Sequence, residues 1–228
     1  RYIAKWDGTN WAAMGAGFNT APGVLLAHTN GALYAAGSFT NSGGAAVARI
    51  AKWDGANWTN LSSGVSAAVS ALAMGPSNEL YAGGDFTVAG GRAASRVAKW
   101  NGTDWTNLGT GISGPVYALA VGTNSVLYAG GAFSSAGGTS ANFVAKWNGA
   151  GWTGLGTGVN STVSALAMGA SNELYAGGYF TNSGAIELSR VAKWVLGEFE
   201  SAYVNPASGS FTGGYEVVIV GANLCNGS

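Results

Sequence analysis

The stretch LYAGGDFTVAGGRAASRVAKWNGTDWTNLG, residues 80–109, decides the fold because the chain repeats it in strict register. Its first Trp slot recurs as Trp6, Trp53, Trp100, Trp147 and Trp194, spaced by 47 residues each time without insertion or deletion. The second slot holds Trp11, Trp58, Trp105 and Trp152, so the two slots contain all nine Trp of the chain. Tyr34, Tyr81, Tyr128 and Tyr175 share a slot, as do Phe39, Phe86, Phe133 and Phe180. Lys5, Lys52, Lys99, Lys146 and Lys193 recur as well. A period of 40 to 50 residues means either helical pairs or four-stranded blades, and local pattern decides between them.

The local pattern is that of strands. Each unit reads as VSALAMG, NELYAGGDF, SRVAKW and NWTNL, rich in Gly, Thr, Trp, Tyr and Val and with two-residue alternation, while Glu, Gln and Lys are scarce. Asp7-Gly8, Asp54-Gly55, Asn101-Gly102 and Asn148-Gly149 lie between the third and fourth strands, a hairpin signal because these residues tolerate positive φ. Four antiparallel strands per unit describe a propeller blade, whereas solenoid coils are shorter and lack internal hairpins. The expected fold is therefore an all-β propeller of four-stranded antiparallel blades with 47-residue repeats. The double Gly after the second strand (Gly83-Gly84, Gly130-Gly131, Gly177-Gly178; Ala36-Gly37 in the first copy) is read as a place where backbones of neighbouring sheets approach closely. All nine Trp are read as blade-packing residues.

The string LYAGG, a variable loop, then VAKWNGTDWTNLG resembles a kelch-type propeller repeat. The fuller string LYAGGDFT, AGG, RVAKWNG, W is similar to repeats of large bacterial surface or secreted proteins and of the fungal cortical cell-polarity marker proteins. The resemblance covers about residues 1–199 and implies a fold more than a function. Within that span the units divide into a half blade at 1–14 and repeats at about 22–61, 69–108, 116–155 and 163–199. Five copies of the third strand against four of the others give about seventeen strands, which suggests a window cut from a longer propeller. Residues 200–228 form a linker and a new beginning: NPASGSFTGGYEVVIVGANLCNGS resembles the opening of an immunoglobulin-like IPT/TIG domain, with Pro206, Ser208 and Gly209 in its first turn and a strand at Val217–Val220. That strand is expected to be completed by downstream residues or by another molecule.

Composition narrows the function. Ten Lys plus Arg balance ten Asp plus Glu and only 9% of residues are charged, so a phosphate-neutralising face for nucleic acid is not expected. No apolar run is long enough for a membrane span. One His and one Cys leave no zinc cluster or disulfide framework, and no cofactor, metal or catalytic site is expected. His28 stands where Gly75, Gly122 and Gly169 stand in later units and reads as a tolerated surface residue. Asp7 and Asp54 give way to Asn101 and Asn148, an exchange that suits turn chemistry and not acid catalysis. Arg96 and Lys99 are expected on opposite faces of a strand by alternation, so Lys and Arg of the third strand read as stems packed along the blades with heads in solvent or on carbonyls, the competing expectation being a ring of Lys around the channel.

Five sequons, at Asn57, Asn60, Asn101, Asn160 and Asn226, are candidate N-glycosylation sites for a secreted protein. Cys225 is expected to pair, in an oxidising compartment, with a residue outside this segment. The sequence thus points to a non-catalytic extracellular or cell-surface scaffold or adhesive module. Its expected partners are other domains of the same longer chain, neighbouring subunits or glycans, and it could join into a fibre by strand addition from the C-terminal segment. The alternative is a lectin-like propeller that stacks sugars on exposed Trp or Tyr faces, for which the exposure of Trp58 and its equivalents is the discriminating quantity. Variation concentrates in the loop between second and third strands, where a partner-specific contact is expected.

Overall fold

The structure, a computed structural model, describes residues 2–28, 31–195 and 198–201. The chain opens with a hairpin of β1 (Ala4–Trp6) and β2 (Trp11–Ala13). Blade 1 follows with β3 (Pro22–Ala27), β4 (Leu33–Gly37), β5 (Asn41–Ser42), β6 (Ala45–Ala46), β7 (Ile50–Trp53) and β8 (Trp58–Asn60). Blade 2 has β9 (Val69–Met74), β10 (Leu80–Gly84), β11 (Val88–Ala89), β12 (Arg92–Ala93), β13 (Val97–Trp100) and β14 (Trp105–Asn107). Blade 3 has β15 (Val116–Val121), β16 (Leu127–Gly131), β17 (Ser135–Ala136), β18 (Thr139–Ser140), β19 (Val144–Trp147) and β20 (Trp152–Gly154). Blade 4 has β21 (Val163–Met168), β22 (Leu174–Gly178), β23 (Asn182–Ser183), β24 (Ile186–Glu187), β25 (Val191–Val195) and β26 (Glu198–Ser201). Each blade is a four-stranded antiparallel meander, in blade 2 of order β9-β10-β13-β14, so the all-β propeller architecture is as expected.

Successive first strands pack on one another, β3 on β9, β9 on β15 and β15 on β21, which places them innermost. No comparable packing joins β21 back to β3 among the described residues, so the blades form an open arc. The apolar core is divided between the blade interfaces. One cluster joins Tyr81, Val97 and Ala73 of blade 2 to Leu119, Leu127 and Trp152 of blade 3. Equivalent clusters join blade 1 to blade 2 and blade 3 to blade 4, and a fourth seats Met14 and Phe18 against Phe39 and Trp58. Blades 1 to 3 thus each have a face carrying the Tyr and a face carrying the Trp pair, and the Tyr faces of blades 1 and 2 receive the Trp faces of blades 2 and 3.

The double Gly serves both contacts, one residue each. A Cβ on Gly83 would lie 2.6 Å from Val116 Cγ1 of the next blade, and one on Gly130 2.5 Å from Val163 Cγ1. A Cβ on Gly84 would instead fall on the carbonyl of Ala68 in its own blade, where the β9–β10 register shifts by a bulge. Close approach of neighbouring sheets therefore applies to the first Gly of blades 2 and 3, Ala36 filling the same slot in blade 1, while the second Gly is required within its own sheet.

Four further expectations are corrected. The stretch between second and third strands is not a loop but a small hairpin, such as β11 and β12, turned by Gly90 (φ +59°) and Gly91 (φ +77°). With these eight short strands, and with β26 as a fifth copy of the fourth strand where four were expected, the described strands number 26, not about seventeen. The Asp-Gly and Asn-Gly pairs lie within four-residue loops, Trp53 facing Trp58 across residues 54–57, and the Gly alone takes positive φ, +106° at Gly55. Arg49, Arg96 and Arg190 precede the third strand in the left-handed region, at φ +67°, +65° and +67°, so two-residue alternation does not set their direction. Residues 202–228, which hold the IPT/TIG-like opening, Cys225 and Asn226, lie outside the described residues.

Candidate functional site

The recurrent polar and aromatic side chains converge on the blade interfaces and turns. Trp58, Trp105 and Trp152 are 5%, 1% and 4% exposed. Each indole Nε1–H donates to a carbonyl 44 residues earlier: Trp58 to Met14 at 3.2 Å, Trp105 to Leu61 at 2.9 Å and Trp152 to Leu108 at 2.9 Å. Each fourth strand is thereby tied to the end of the unit before it. Trp53, Trp100 and Trp147 are half-buried and sit across from these indoles, with ring centroids 5.2–5.6 Å apart and planes 52–53° apart. Trp194 is half-buried at the same slot, opposite Phe199 in the strand register. Trp6 and Trp11 form the same kind of pair at 5.5 Å but are 49% and 71% exposed. Burial of Trp58, Trp105 and Trp152 favours packing over sugar stacking at these three positions, while Trp11 in the same slot is exposed.

The Asp and Asn slot closes turns. Asp54 Oδ1 accepts from the N–H of Ala56 at 2.8 Å and of Asn57 at 2.7 Å, and Asn101 Oδ1 accepts from Thr103 at 2.9 Å and Asp104 at 2.8 Å. These donors hold the carboxyls of Asp7 and Asp54 below the ordinary value, through Asn10 then Thr9 and through Asn57 then Ala56. A proton donor needs the opposite shift. Burial pushes the Tyr34 and Tyr81 hydroxyls up, with Glu79 adding to the effect at Tyr81.

A second polar slot, Asn19, Ser66, Ser113 and Asn160, spans from one unit to the inserted hairpin of the next strand pair. Asn160 Oδ1 accepts from Thr181 at 2.8 Å and Asn182 at 3.1 Å, and Ser66 Oγ accepts from Thr87 at 3.1 Å and Val88 at 3.0 Å. Sequence reading missed this latch, although its 47-residue recurrence was the signal that could have found it. Among the sequons, Asn160 is engaged in that latch, and Asn60 donates to the Ala46 carbonyl while accepting from Ala48, both at 2.9 Å. Asn57 and Asn101 stand exposed in the four-residue loops.

Arg49 and Arg96 reach carbonyls, of Val65 at 2.9 Å and of Ile112 at 3.2 Å. The repeated Lys lie on third strands, opposite the Tyr of the second strand, Lys99 against Tyr81. A second strand thus separates them from the innermost strand, and they do not ring the channel. His28 occupies a turn where its N–H donates to the Ala32 carbonyl at 2.8 Å. In blade 2 the equivalent Gly75 makes room for the Glu79 carboxylate, and where His28 replaces the Gly, Ala32 replaces the Glu. A surface depression lined by Gly23, Val24, Gly37, Ser38, Val69 and Ser70 offers no titratable side chain. Among the described residues no three His, Cys, Asp or Glu stand together as metal ligands. Among the same residues no helix is long and apolar enough to cross a membrane.

A family model described as the Rax2 C-terminal beta propeller domain matches residues 56–150, somewhat under half of the chain. Over that stretch the chain is similar to a propeller family. Two crystal structures of the extracellular domain of one B. thetaiotaomicron protein share the fold. It is described once as a one-component system, at TM-score 0.53, 12% identity and coverage of 83% of this chain and 22% of that one. It is described once as a hybrid two-component system, at TM-score 0.53, 13% identity and coverage of 82% and 22%. A GH74 enzyme of Niastella koreensis matches at TM-score 0.43 and 19% identity, over 84% of this chain and 38% of its own. The chain therefore spans about a fifth of the first structures it resembles. No curated protein matches it.

Proposed function

We infer that this chain is a non-catalytic propeller module of an extracellular or cell-surface protein, acting as a rigid scaffold or adhesive element. The observation that carries the reading is the use made of the repeated polar groups: indole N–H groups, turn carboxylates and amides, and guanidinium groups are spent on carbonyls and N–H groups of the blades. Function on this fold is placed by departures from the repeat, and the departures here are small. Likeness of the fold to extracellular domains of a bacterial protein supports the location, and the similarity of residues 56–150 to the Rax2 C-terminal beta propeller domain is compatible with it. The kelch-type resemblance, the IPT/TIG-like continuation, the sequons, the pairing of Cys225 and fibre formation through Val217–Val220 belong to the same reading. An antibody raised against residues 1–228 should stain intact, unpermeabilised source cells. Staining only after permeabilisation, or turnover of a glycoside panel by the purified chain, overturns the reading.

A further inference from the structure

Each innermost strand carries one residue that its partner strand does not pair. In β15 the register against β16 shifts between Val116 and Ala118, which leaves Tyr117 as the extra residue of a bulge. The same shift isolates Ser70 in β9, Gly23 in β3 and Ser164 in β21. Gly and Ser build this bulge as well as Tyr does, so packing does not call for the ring at 117. That ring is nevertheless 38% exposed on a strand packed by β9 on one side and β21 on the other. A second row runs beside the first: Ser38, Asp85, Ala132 and Tyr179 each follow the second residue of the Gly-pair slot. The N–H of Asp85 donates to the Ala68 carbonyl at 3.0 Å, that of Ala132 to Pro115 at 2.9 Å and that of Tyr179 to Thr162 at 2.9 Å. Those bonds form whatever the side chain, so the carboxylate of Asp85, which is exposed, is not needed to make the turn. Where blade 1 meets blade 2, a depression of about 340 Å³ lies between the rows, with Gly23 and Ser38 on one wall and Ala68 and Ser70 on the other. One repeat further on, Asp85 and Tyr117 hold the slots of Ser38 and Ser70. Depression, acid and ring therefore follow one another along the same end of the innermost strands.

We propose that this rim binds a neutral disaccharide unit of a glycan. One pyranose ring lies against the face of Tyr117 with hydroxyls donating to the Asp85 carboxylate, and the adjoining ring enters the depression, within reach of the Ser38 and Ser70 hydroxyls. Tyr supplies an apolar face with a polar tip, which suits a sugar ring. An ionised carboxylate only accepts hydrogen bonds, so it matches hydroxyl donors and turns anions away. No titratable side chain lines the depression, so a charged ligand finds no counter-ion there. Its volume falls at the lower end of the range for small-molecule sites, about 300–1,000 Å³. The inference rests on the adhesive form of the function proposed above and gives it a ligand class. It also moves sugar stacking from the buried Trp slot to a Tyr that the repeat does not require.

The test is saturation-transfer NMR on the full chain with cellobiose, maltose, mannobiose and N,N′-diacetylchitobiose as probes. At least one of them should receive saturation at millimolar concentration. Tyr117→Ser brings in the residue type of Ser70 and Ser164, and Asp85→Ser that of Ser38, so both variants should keep the thermal midpoint of the parent. Affinity for the bound probe should nevertheless fall about tenfold or more in each. Trp11→Ser, at the exposed Trp pair, should leave binding unchanged. No transfer to any of the four probes overturns the site, and transfer that survives both Tyr117→Ser and Asp85→Ser overturns its location. Binding of tetramethylammonium chloride in place of every sugar, lost in Asp85→Ser, overturns the ligand class. Cleavage of a bound disaccharide upholds the site and overturns the non-catalytic reading, whereas failure to bind overturns the site alone.

Discussion

Trp105 shows how one side chain can be both core and fastener. Its ring is 1% exposed and its N–H holds the Leu61 carbonyl at 2.9 Å. Trp105→Phe keeps most of the apolar area and removes one of two hydrogen bonds to the Leu61 carbonyl, which also accepts from the Gly64 N–H at 3.0 Å, so it should cost about 0.5–1.5 kcal/mol. Trp11→Phe, at a 71% exposed position, should fall within about 0.5 kcal/mol of the parent chain. Urea unfolding of the two variants measures both; equal losses would mean that the tie contributes nothing. Asp54 supplies a prediction of a different kind. Its folded carboxyl titrates below the ordinary 3.8 because the N–H groups of Asn57 and Ala56 favour the charged form. The stabilisation is therefore complete above the unfolded value and is lost as pH falls through the folded one. Asp54→Asn retains the acceptor, as Asn101 and Asn148 do, and removes the titration. The drop in urea midpoint between about pH 6 and about pH 3 should be smaller in that variant than in the parent.

At the level of the strand, the Gly pair offers a comparison within one molecule. Gly83 faces Val116 of the next blade, whereas a Cβ on Gly177 would find nothing nearer than Ala165 Cβ and the Arg190 carbonyl at 3.9 Å. Gly83→Ala should cost about 1–3 kcal/mol through overpacking, and Gly177→Ala less than about 0.5 kcal/mol. Thermal unfolding of the pair checks the contrast, and a cost at Gly177 equal to that at Gly83 would refute the interface account. The inserted hairpins were legible in principle, since Gly90-Gly91 and Gly137-Gly138 carry the positive φ values of a two-residue turn. They were passed over because two-residue strands leave no periodicity to read. Legibility failed in the opposite sense at Arg96: strand alternation suggested its direction, and a left-handed residue, rare outside Gly, reset it.

The described residues form an arc whose outer blades differ from its middle. Ile50, Val97 and Val144 are fully buried on the Tyr faces of blades 1, 2 and 3, and Val191 at the same slot of blade 4 is 40% exposed. Each blade is stabilised chiefly by its neighbours, so protection should follow the number of covered faces. Amides of β9 and β10 should exchange more slowly than those of β21 and β22, by hydrogen exchange with mass spectrometry. Uniform protection along the arc would show that coverage does not govern local stability.

The sequence by itself determined the blade, because a 47-residue recurrence of Trp, Tyr, Phe and Gly-Gly leaves each unit with apolar faces that only another unit can bury. It also identified the turn role of Asp54, since Asp and Asn share that chemistry. Tertiary structure alone decided which of the two Trp slots is buried, which Gly faces the neighbouring blade and which its own sheet, and that the Lys stand away from the axis. Those are questions of which face meets which, and alternation along a strand states that two faces exist without saying what covers them.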